Sequence, residues 1–591
     1  MRTPIMPSRS VAPVAAWTVA ASILLCAGAA HAQPAQAAAP MEQGWSAADR
    51  DTFYATGQGS HLMPAAWFMA LRRLDVDQPF AADQLARYGY LHNDSPSNLP
   101  IGFVIETPTG QPGQLGMTCA ACHTGQLEYT GKDGVNHVWR IDGAPASADF
   151  QQFLHDLVAA VRATLSQSDR FDAFAKAVLG NGYSAANAAS LKEAFGKWVD
   201  GFGTFMDASL PPSPWGPGRL DAFGMIFNRV AGHDLDFAGN LKIADAPVSY
   251  PFLWNASRQD RTQWDGAVQN GLLINGLGRN TGEVLGVFAD FKPVSALPGF
   301  GVIPPTILYN DNSVNLTGLE TLEEEIVKLQ PPPWPTQIFG LDNQLVKKGE
   351  ALFAQNCTEQ CHDDKKKSSG IAGLVGAWAT PVQPVHTDPK MANNAARTSD
   401  PRIYDGAPVL RPAIPPTFSN PAATFDVLTN SVVQILIAGV TQDGVQRAIQ
   451  GDLSRLQPNA TNPLDVVPIG INFINTQLGD LFDPPKPGPA AYETRVLHGI
   501  WATAPYLHNG SVPNLWELMK PAKDRVTTFN VGCRRFDPKN VGFVIDDPSC
   551  KTGTFVVDPN NANGNGNGGH EFGTNLSEDD RWAIVEFLKQ Y

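Results

Sequence analysis

The strongest constraint on this chain is the run at 119–123, Cys-Ala-Ala-Cys-His. Two cysteines separated by two residues and followed by histidine form the attachment pattern of a c-type haem: the thiols bind its vinyl groups and the imidazole binds its iron. A disulfide or half of a zinc site is the alternative for a close cysteine pair, and zinc would need a second suitable pair. We predict a covalently bound haem c at Cys119, Cys122 and His123, and therefore a redox protein.

An imperfect second copy lies at 357–362, Cys-Thr-Glu-Gln-Cys-His, with three residues between the cysteines. Apolar residues at nearly helical spacing precede it, as in a haem domain. We predict a second covalent haem c at Cys357, Cys361 and His362. The alternative is a local disulfide beside a surface histidine. The longer spacing leaves the number of thioether bonds open.

The N-terminus has the three parts of a secretory signal peptide. Arg2 and Arg9 precede an apolar run at 16–25, and Ala30-His31-Ala32 is a small-x-small cleavage site. We expect residues 1–32 to be removed after Ala32 and the protein to be periplasmic or secreted.

Cys533 and Cys550 have no place in either haem motif. Because an exported protein meets an oxidising environment, we predict a disulfide between them. A reactive thiol pair is the alternative.

The net charge and the hydropathy of the chain limit the kinds of partner that it can bind. The chain has 43 Lys and Arg against 57 Asp and Glu, a net charge of −14, which argues against nucleic acid. An acidic surface steers a basic redox donor or maintains solubility. No stretch after the signal peptide has the ~20 apolar residues of a membrane span.

Length and composition indicate the domain organisation. More than 500 residues suggest two or more domains, and Pro331-Pro332-Pro333-Trp334-Pro335 is typical of an extended linker. We predict an N-terminal haem domain at 33–330, a linker at 331–335 and a C-terminal haem domain at 336–591. Apolar residues at helical spacing over 150–165, with 48 Pro and 54 Gly in the chain, predict a mainly α fold: two cytochrome c-like domains with long ordered loops. Ser577 is expected to cap a terminal helix.

Five segments carry a family resemblance. They are Cys-Ala-Ala-Cys-His-Thr-Gly at 119–125, Arg-Ile-Asp-Gly-Ala-Pro at 140–145, Trp-Gly-Pro-Gly-Arg at 215–219, Trp-Asp-Gly at 264–266 and Gly-Ile-Trp-Ala-Thr-Ala-Pro-Tyr-Leu-His-Asn-Gly-Ser-Val-Pro at 499–513. Together they resemble the bacterial di-haem cytochrome c peroxidase superfamily, and most of all its haem c rubber oxygenase branch. The last segment is the most specific.

The resemblance implies a sixth ligand for the second haem. His508, in a loop bounded by Pro and Gly, would complete a bis-imidazole iron with His362, a state suited to electron transfer. A histidine that only hydrogen-bonds the fold is the alternative, and His498 and Tyr506 are the other candidate ligands.

The resemblance also implies an active site at the first haem. Trp264 would assist electron transfer between the haems, and Glu283, nineteen residues later, would act as acid and base on bound peroxide. A packed tryptophan and a solvated carboxylate are the alternatives. The iron bound by His123 would be open or blocked at rest by His137, which is otherwise an ordinary loop residue. The haem propionates would pair with arginines, for which the candidates are Arg140, Arg219 and Arg279. Surface salt bridges of these arginines are the alternative.

Three functions remain. A peroxidase would reduce hydrogen peroxide with electrons from an external donor such as a small cytochrome or a cupredoxin. An oxygenase would use dioxygen to cleave an organic substrate such as polyisoprene. An electron carrier would have all coordination positions of both irons occupied by the protein and the haem. We predict a peroxidase-like di-haem oxidoreductase, in which the N-terminal haem meets the oxidant and the C-terminal haem relays electrons.

Overall fold

The structure is a computed structural model of the 591-residue chain. It describes residues 38–94, 97–295, 311–358, 361–369, 376–410, 417–456, 489–550, 552–560 and 563–591. The predicted signal peptide, residues 1–32, lies outside the described residues. Residues 38–591 form one compact unit.

Helices make up most of the regular structure. In chain order they are α1 Ala47–Ala55, α2 Ala65–Ala70, α3 Phe150–Ser166, α4 Ser168–Leu179, α5 Ala185–Trp198, α6 Thr204–Ser209, α7 Ala222–Phe227, α8 Leu273–Gly286, α9 Leu316–Lys328, α10 Thr336–Phe339, α11 Asn343–Phe353, α12 Lys390–Ala395, α13 Thr424–Ala438, α14 Asp443–Leu456, α15 Leu515–Leu518 and α16 Glu578–Leu588. The apolar stripe of α3 is buried as predicted. Ser577 caps α16 by accepting a hydrogen bond from the Asp580 backbone amide.

Strands are short and scattered. They are β1 Ala39–Pro40, β2 Met63–Pro64, β3 Phe103–Glu106, β4 Gln114–Met117, β5 Thr124–Thr130, β6 Asn136–Asp142, β7 Arg219–Leu220, β8 Val248–Ser249, β9 Arg261–Thr262, β10 Val268–Gln269, β11 Phe291–Lys292, β12 Asp311–Asn312, β13 Val382–Gln383, β14 Thr398–Ser399, β15 Ala422–Ala423, β16 Tyr492–Glu493, β17 Thr528–Asn530, β18 Phe536–Asp537, β19 Gly542–Phe543 and β20 Thr554–Val556. The three-stranded sheets have the orders β1-β6-β5 and β2-β4-β3.

These strands correct the predicted mainly α fold to a mixed α/β fold. The β5–β6 hairpin, which begins directly after the first haem motif, is antiparallel from Thr124↔Asp142 to Thr130↔Asn136. Most of the other strands have only two residues. A strand of that length is too short to produce an alternating apolar pattern, so the sequence did not predict these strands within the glycine- and proline-rich loops.

The proline-rich segment is packed against the fold. The Trp501 indole donates to the Pro332 carbonyl at 2.9 Å, and the Trp334 ring packs edge-on against Trp501 at 5.3 Å. One apolar core includes Met41 and Trp45 together with residues of α16, so chain on both sides of 331–335 contributes to it. The division into two haem domains stays a prediction.

Helix α8 is held in place by four neighbouring helices. Its N-terminus is capped from α14, since the Asp452 carboxylate accepts from the backbone amides of Leu273 at 2.8 Å and Ile274 at 2.9 Å. The helix packs against α7, α9, α13 and α14 and is buried along most of its length. It therefore holds its polar side chains at fixed positions inside the protein.

Membrane-spanning potential is limited to one bent helix pair. Within the described ranges, no single helix is long and apolar enough to cross a membrane. One pair of helices has the required length and composition when taken together, Thr424–Ala438 with Asp443–Leu453, and the two are bent by 101° relative to each other.

Candidate functional site

The first haem motif folds as a tight turn. Cys119–Ala121 is a 3-10 helix that Thr118 caps, and the backbone amide of His123 donates to the Cys119 carbonyl at 2.9 Å. Gly102 lies so close that a Cβ on it would be 2.0 Å from the Ala121 nitrogen. The turn brings Cys119, Cys122 and His123 to the wall of one cavity of about 160 Å³, called the first cavity below.

The orientation of His123 suits a metal ligand. Its Nδ1 is 2.8 Å from the Pro251 carbonyl, which fixes Nδ1 as the protonated nitrogen and leaves the Nε2 lone pair free. Burial lowers the pKa of His123 to about 4. The imidazole is therefore neutral at physiological pH, as iron ligation requires.

The cysteines of the two motifs differ from the third pair. Cys119, Cys122, Cys357 and Cys361 are free thiols, whereas Cys533 and Cys550 form the predicted disulfide. Across the described residues, no three His, Cys, Asp or Glu side chains cluster as a metal ion would require. The zinc alternative is thus without support there, and free thiol pairs match covalent haem attachment.

Several polar side chains also line the first cavity. Glu283 on α8 and Trp264 line this cavity together with Gln263 and Arg279, so both predicted catalytic residues lie at the cavity that the first haem motif lines. Gln263 donates to the Glu283 carboxylate at 2.8 Å. Burial raises the pKa of Glu283, and the charge of Arg279 and the hydrogen bond from Gln263 oppose that rise.

Arg279 is held by a buried network. Its guanidinium forms an ion pair with Glu323 on α9 and donates to Asn270 Oδ1 at 3.1 Å. Asn280 donates to the same Glu323 oxygen at 2.7 Å. Arg279 thus has a protein partner.

The second haem motif lines a larger cavity of about 370 Å³, the second cavity below. Cys357, Cys361 and His362 lie on its wall, and His362 Nδ1 is 2.7 Å from the Arg495 carbonyl. This repeats the arrangement at His123, with a backbone carbonyl fixing the ring. Burial lowers the pKa of His362.

His508, the predicted sixth ligand, also lines the second cavity. Its ring stacks on Tyr492 with centroids 4.0 Å apart. Burial lowers the pKa of His508 to about 3, so the ring is neutral and able to ligate. Its role as a ligand stays a prediction.

His570, which the sequence did not single out, lines the same cavity. Its ring centroid is 6.3 Å from that of His362, and its Nδ1 is buried without a hydrogen-bond partner. A metal–imidazole bond is about 2 Å long, so rings on opposite sides of one metal have centres about 6 Å apart. By this spacing, His362 and His570 could together hold one metal.

A shared wall separates the two cavities. Five residues line both cavities: Ser249, Tyr250, Phe252, Trp264 and Arg495. The Trp264 indole donates to the Ser249 carbonyl at 2.8 Å, and the Arg495 guanidinium lies 5.6 Å from the Trp264 ring centroid. Sequence reasoning placed Trp264 here and missed Arg495.

Arg495 also meets a requirement of haem. It is 5 % exposed, its Nε has no hydrogen-bond partner, and the Glu493 carboxylate is 3.8 Å away. A buried guanidinium with an unused donor suits an additional anion, and haem propionates are such anions. With the thiols and fixed imidazoles, these residues fit two haem c groups.

The other candidate residues lie elsewhere. His137 is on β6, stacked on Trp139 at 5.3 Å, and is not among the residues lining the first cavity. The Arg140 guanidinium donates to the His92 carbonyl, and Arg219 donates to the Asn509 carbonyl.

The two alternative ligands for the second haem differ in position. His498 Nε2 is 3.1 Å from an Asp364 oxygen, and His498 is not among the residues lining the second cavity. Tyr506 lines that cavity but donates its hydroxyl to backbone carbonyls, including that of Val541 at 3.2 Å.

Comparisons with known proteins agree with a cytochrome. The family described as "RoxA-like, cytochrome c-like" matches residues 491–530, which include Arg495 and His508. "Uncharacterized protein y4iJ" of Sinorhizobium fredii (strain NBRC 101917 / NGR234) is 31 % identical over 93 % of this chain and 92 % of its own length. "Uncharacterized protein y4iM" of the same strain is 25 % identical over 50 % of this chain and 49 % of its own length. The chain therefore belongs to the same family as y4iJ, and its RoxA-like segment supports membership of the RoxA/di-haem cytochrome c family.

Proposed function

We propose that this chain is an exported di-haem c-type cytochrome that reduces hydrogen peroxide at the first cavity and receives electrons through the second. The balanced reaction is H₂O₂ + 2 H⁺ + 2 e⁻ → 2 H₂O. When bound, the haem supplies an iron that exchanges electrons with the oxidant. The observation that carries the proposal is a carboxylate, Glu283, lining the cavity that contains Cys119, Cys122 and His123.

Glu283 is equipped to move a proton. A carboxylate in this cavity accepts a proton from one peroxide oxygen and returns it to the departing oxygen, which then leaves as water. The hydrogen bond from Gln263 at 2.8 Å orients the carboxylate and favours its ionised form. Arg279, one helical turn before Glu283 on α8, provides positive charge beside developing negative charge.

The second site is suited to electron transfer. His362 has its Nδ1 fixed by the Arg495 carbonyl, and His570 and His508 are both available as a sixth ligand. The 6.3 Å spacing to His362 favours His570. If His362 and one of these histidines both held the haem, no position on it would remain for a substrate, and this site would pass electrons from an external donor, a small cytochrome or a cupredoxin, to the first site past Trp264.

A dioxygen-dependent oxygenase is the second candidate. The RoxA-like match at 491–530 favours it, as does the resemblance to the haem c rubber oxygenase branch. Glu283 lines the first cavity, and a hydrocarbon such as polyisoprene packed against its carboxylate would remove solvent from that charge without offering it a hydrogen bond. We therefore rank it second.

Two features support a proposal of export. The disulfide between Cys533 and Cys550 and two covalent haem groups are both typical of proteins outside the cytoplasm. We propose a periplasmic or secreted protein.

The test is an absorption and EPR titration of the ferric protein with one equivalent of hydrogen peroxide. We expect a high-spin signal from the first haem that peroxide removes, and a donor oxidised in proportion. Glu283→Gln should slow this reaction, whereas Glu106→Gln, at a glutamate whose pKa burial also raises but which does not line the first cavity, should react as the parent does. Two low-spin haems inert to peroxide would contradict the proposal, and stable dioxygen binding by the reduced protein would favour the oxygenase.

A further inference from the structure

A third cavity, of about 530 Å³, lies beside the first and is unlike it in its lining. Ser257, Arg258, Asn270, Lys367 and Trp378 are among its lining residues, and we call it the antechamber. Arg258 and Lys367 are exposed, and the Lys367 ammonium lies over the Trp378 ring at 5.3 Å. The antechamber is therefore a polar space in contact with solvent.

The antechamber and the first cavity share Glu323, which lines both of them. Arg279 lines the first cavity, pairs with Glu323 and donates to Asn270, which lines the antechamber, at 3.1 Å. The layer between the two spaces is thus a set of polar side chains joined by hydrogen bonds.

We propose that the antechamber is the solvent-side entrance to the first cavity and that the Arg279–Glu323 pair is its gate. The molecules admitted are small, uncharged and polar: hydrogen peroxide on the way in and water on the way out. This inference rests on the proposed function, because it assigns the route by which the first site receives its oxidant.

The chemistry of the gate sets its selectivity. Arg279 is 8 % exposed and Glu323 9 %, so neither charge is well solvated when the gate is closed. Peroxide or water can exchange hydrogen bonds with both groups as it passes. An apolar chain that separates Arg279 from Glu323 offers neither group a hydrogen bond in exchange, and breaking a buried ion pair in this way costs several kcal/mol.

Protons would reach Glu283 from the side of the antechamber as well. Each turnover of the proposed reaction consumes two protons, and Glu283 is half-buried on the wall of the first cavity. Glu323 is near enough for its charge to raise the pKa of Glu283 and lines the solvent-connected antechamber. The carboxylate of Glu323 is therefore placed between solvent and the acid-base group.

The test plugs the antechamber after folding. In Ser257→Cys the new thiol would be the free one, because the other cysteines are bound to haem or in the disulfide, and a bulky maleimide on it would fill the space. Stopped-flow absorption then measures cyanide binding to the ferric haem before and after labelling. We expect association and dissociation to slow together by at least tenfold, with the equilibrium affinity unchanged, because a blocked route raises the barrier in both directions.

Two controls make the test specific. Ala186→Cys, labelled on an exposed face of α5, should leave both rates unchanged. Lys367→Cys gives an independent plug if the first variant folds poorly. Unchanged rates in labelled Ser257→Cys and labelled Lys367→Cys, with cyanide binding intact in the parent, would overturn the entrance alone. A parent protein that binds no cyanide would overturn the open site of the proposed function and the entrance with it.

Discussion

The pH dependence of the peroxide reaction should be set by the hydrogen bond between Gln263 and Glu283. Gln263→Asn shortens the side chain by one methylene, so the amide no longer reaches the carboxylate that it now contacts at 2.8 Å. Asparagine is the suitable replacement because residue 263 has φ of +67°, a conformation that asparagine tolerates better than most residues.

The size of the effect follows from the bond that is lost. A hydrogen bond to a charged group is worth about 1.5–3 kcal/mol, and one pKa unit corresponds to about 1.4 kcal/mol. Losing the bond removes an interaction that lowers the pKa of Glu283, so that pKa should rise, and the lost 1.5–3 kcal/mol corresponds to about a 10- to 100-fold change in the proton-binding equilibrium. Only the ionised carboxylate accepts a proton, and the rate should therefore fall about 10- to 100-fold below the new pKa and recover above it.

The assay is the second-order rate constant for the reaction of the ferric protein with peroxide, measured by stopped flow across the pH range. Gln126→Asn is the matched control, because Gln126 donates to Glu128 at 3.0 Å in the same way but on β5, and neither residue lines the first cavity. The parent's acid limb should lie above the ordinary glutamate pKa of 4.5. A profile that does not move in Gln263→Asn, or that moves to lower pH, would refute Glu283 as the titrating base.

Three further predictions concern stability. Replacing Cys533 and Cys550 by serine should lower the free energy of unfolding by about 3 kcal/mol on the loop-entropy relation, for a bridge across 17 residues, and chemical denaturation would show it. Gly349→Ala places a Cβ 1.9 Å from the Ala583 carbonyl oxygen and should cost about 1–3 kcal/mol by forcing α11 and α16 apart; an unchanged melting temperature would contradict this packing. Burial raises the pKa of Glu493 from 4.5 to about 8, so the folded state keeps a proton that the unfolded state releases. Parent stability should thus fall as pH rises from 4.5 to about 8, and Glu493→Gln should flatten that slope in denaturant titrations.

The sequence predicted the local part of each site. The attachment residues lie within five or six consecutive positions, and a tight turn brings them together whatever the rest of the chain does. Glu283 and Trp264 could be named only through a family resemblance, and the structure brings them to the first cavity. Their position at one cavity depends on where α8 lies in the core. An amphipathic sequence pattern does not determine how deeply a helix is buried.

The contacts that the sequence did not reveal are distant along the chain. His570 is separated from His362 by more than 200 residues and reaches the second cavity in a loop whose backbone amide donates to the Val385 carbonyl at 2.9 Å. The carbonyls of Pro251 and Arg495 that fix the two motif histidines belong to the backbone and leave no signature in residue type. Side-chain patterns record neither kind of contact.

The shared wall has a consequence for how this protein can be altered. Arg495 lines both cavities and its carbonyl contacts His362, so one substitution there would change the electrostatic surroundings of both proposed haem sites in the same direction. The difference between the reduction potentials of the two proposed haems, which would set the driving force for electron transfer between them, would then change little when this wall is altered. A variant library aimed at that difference should therefore diversify the outer surfaces of the cavities and leave Arg495 and Trp264 constant.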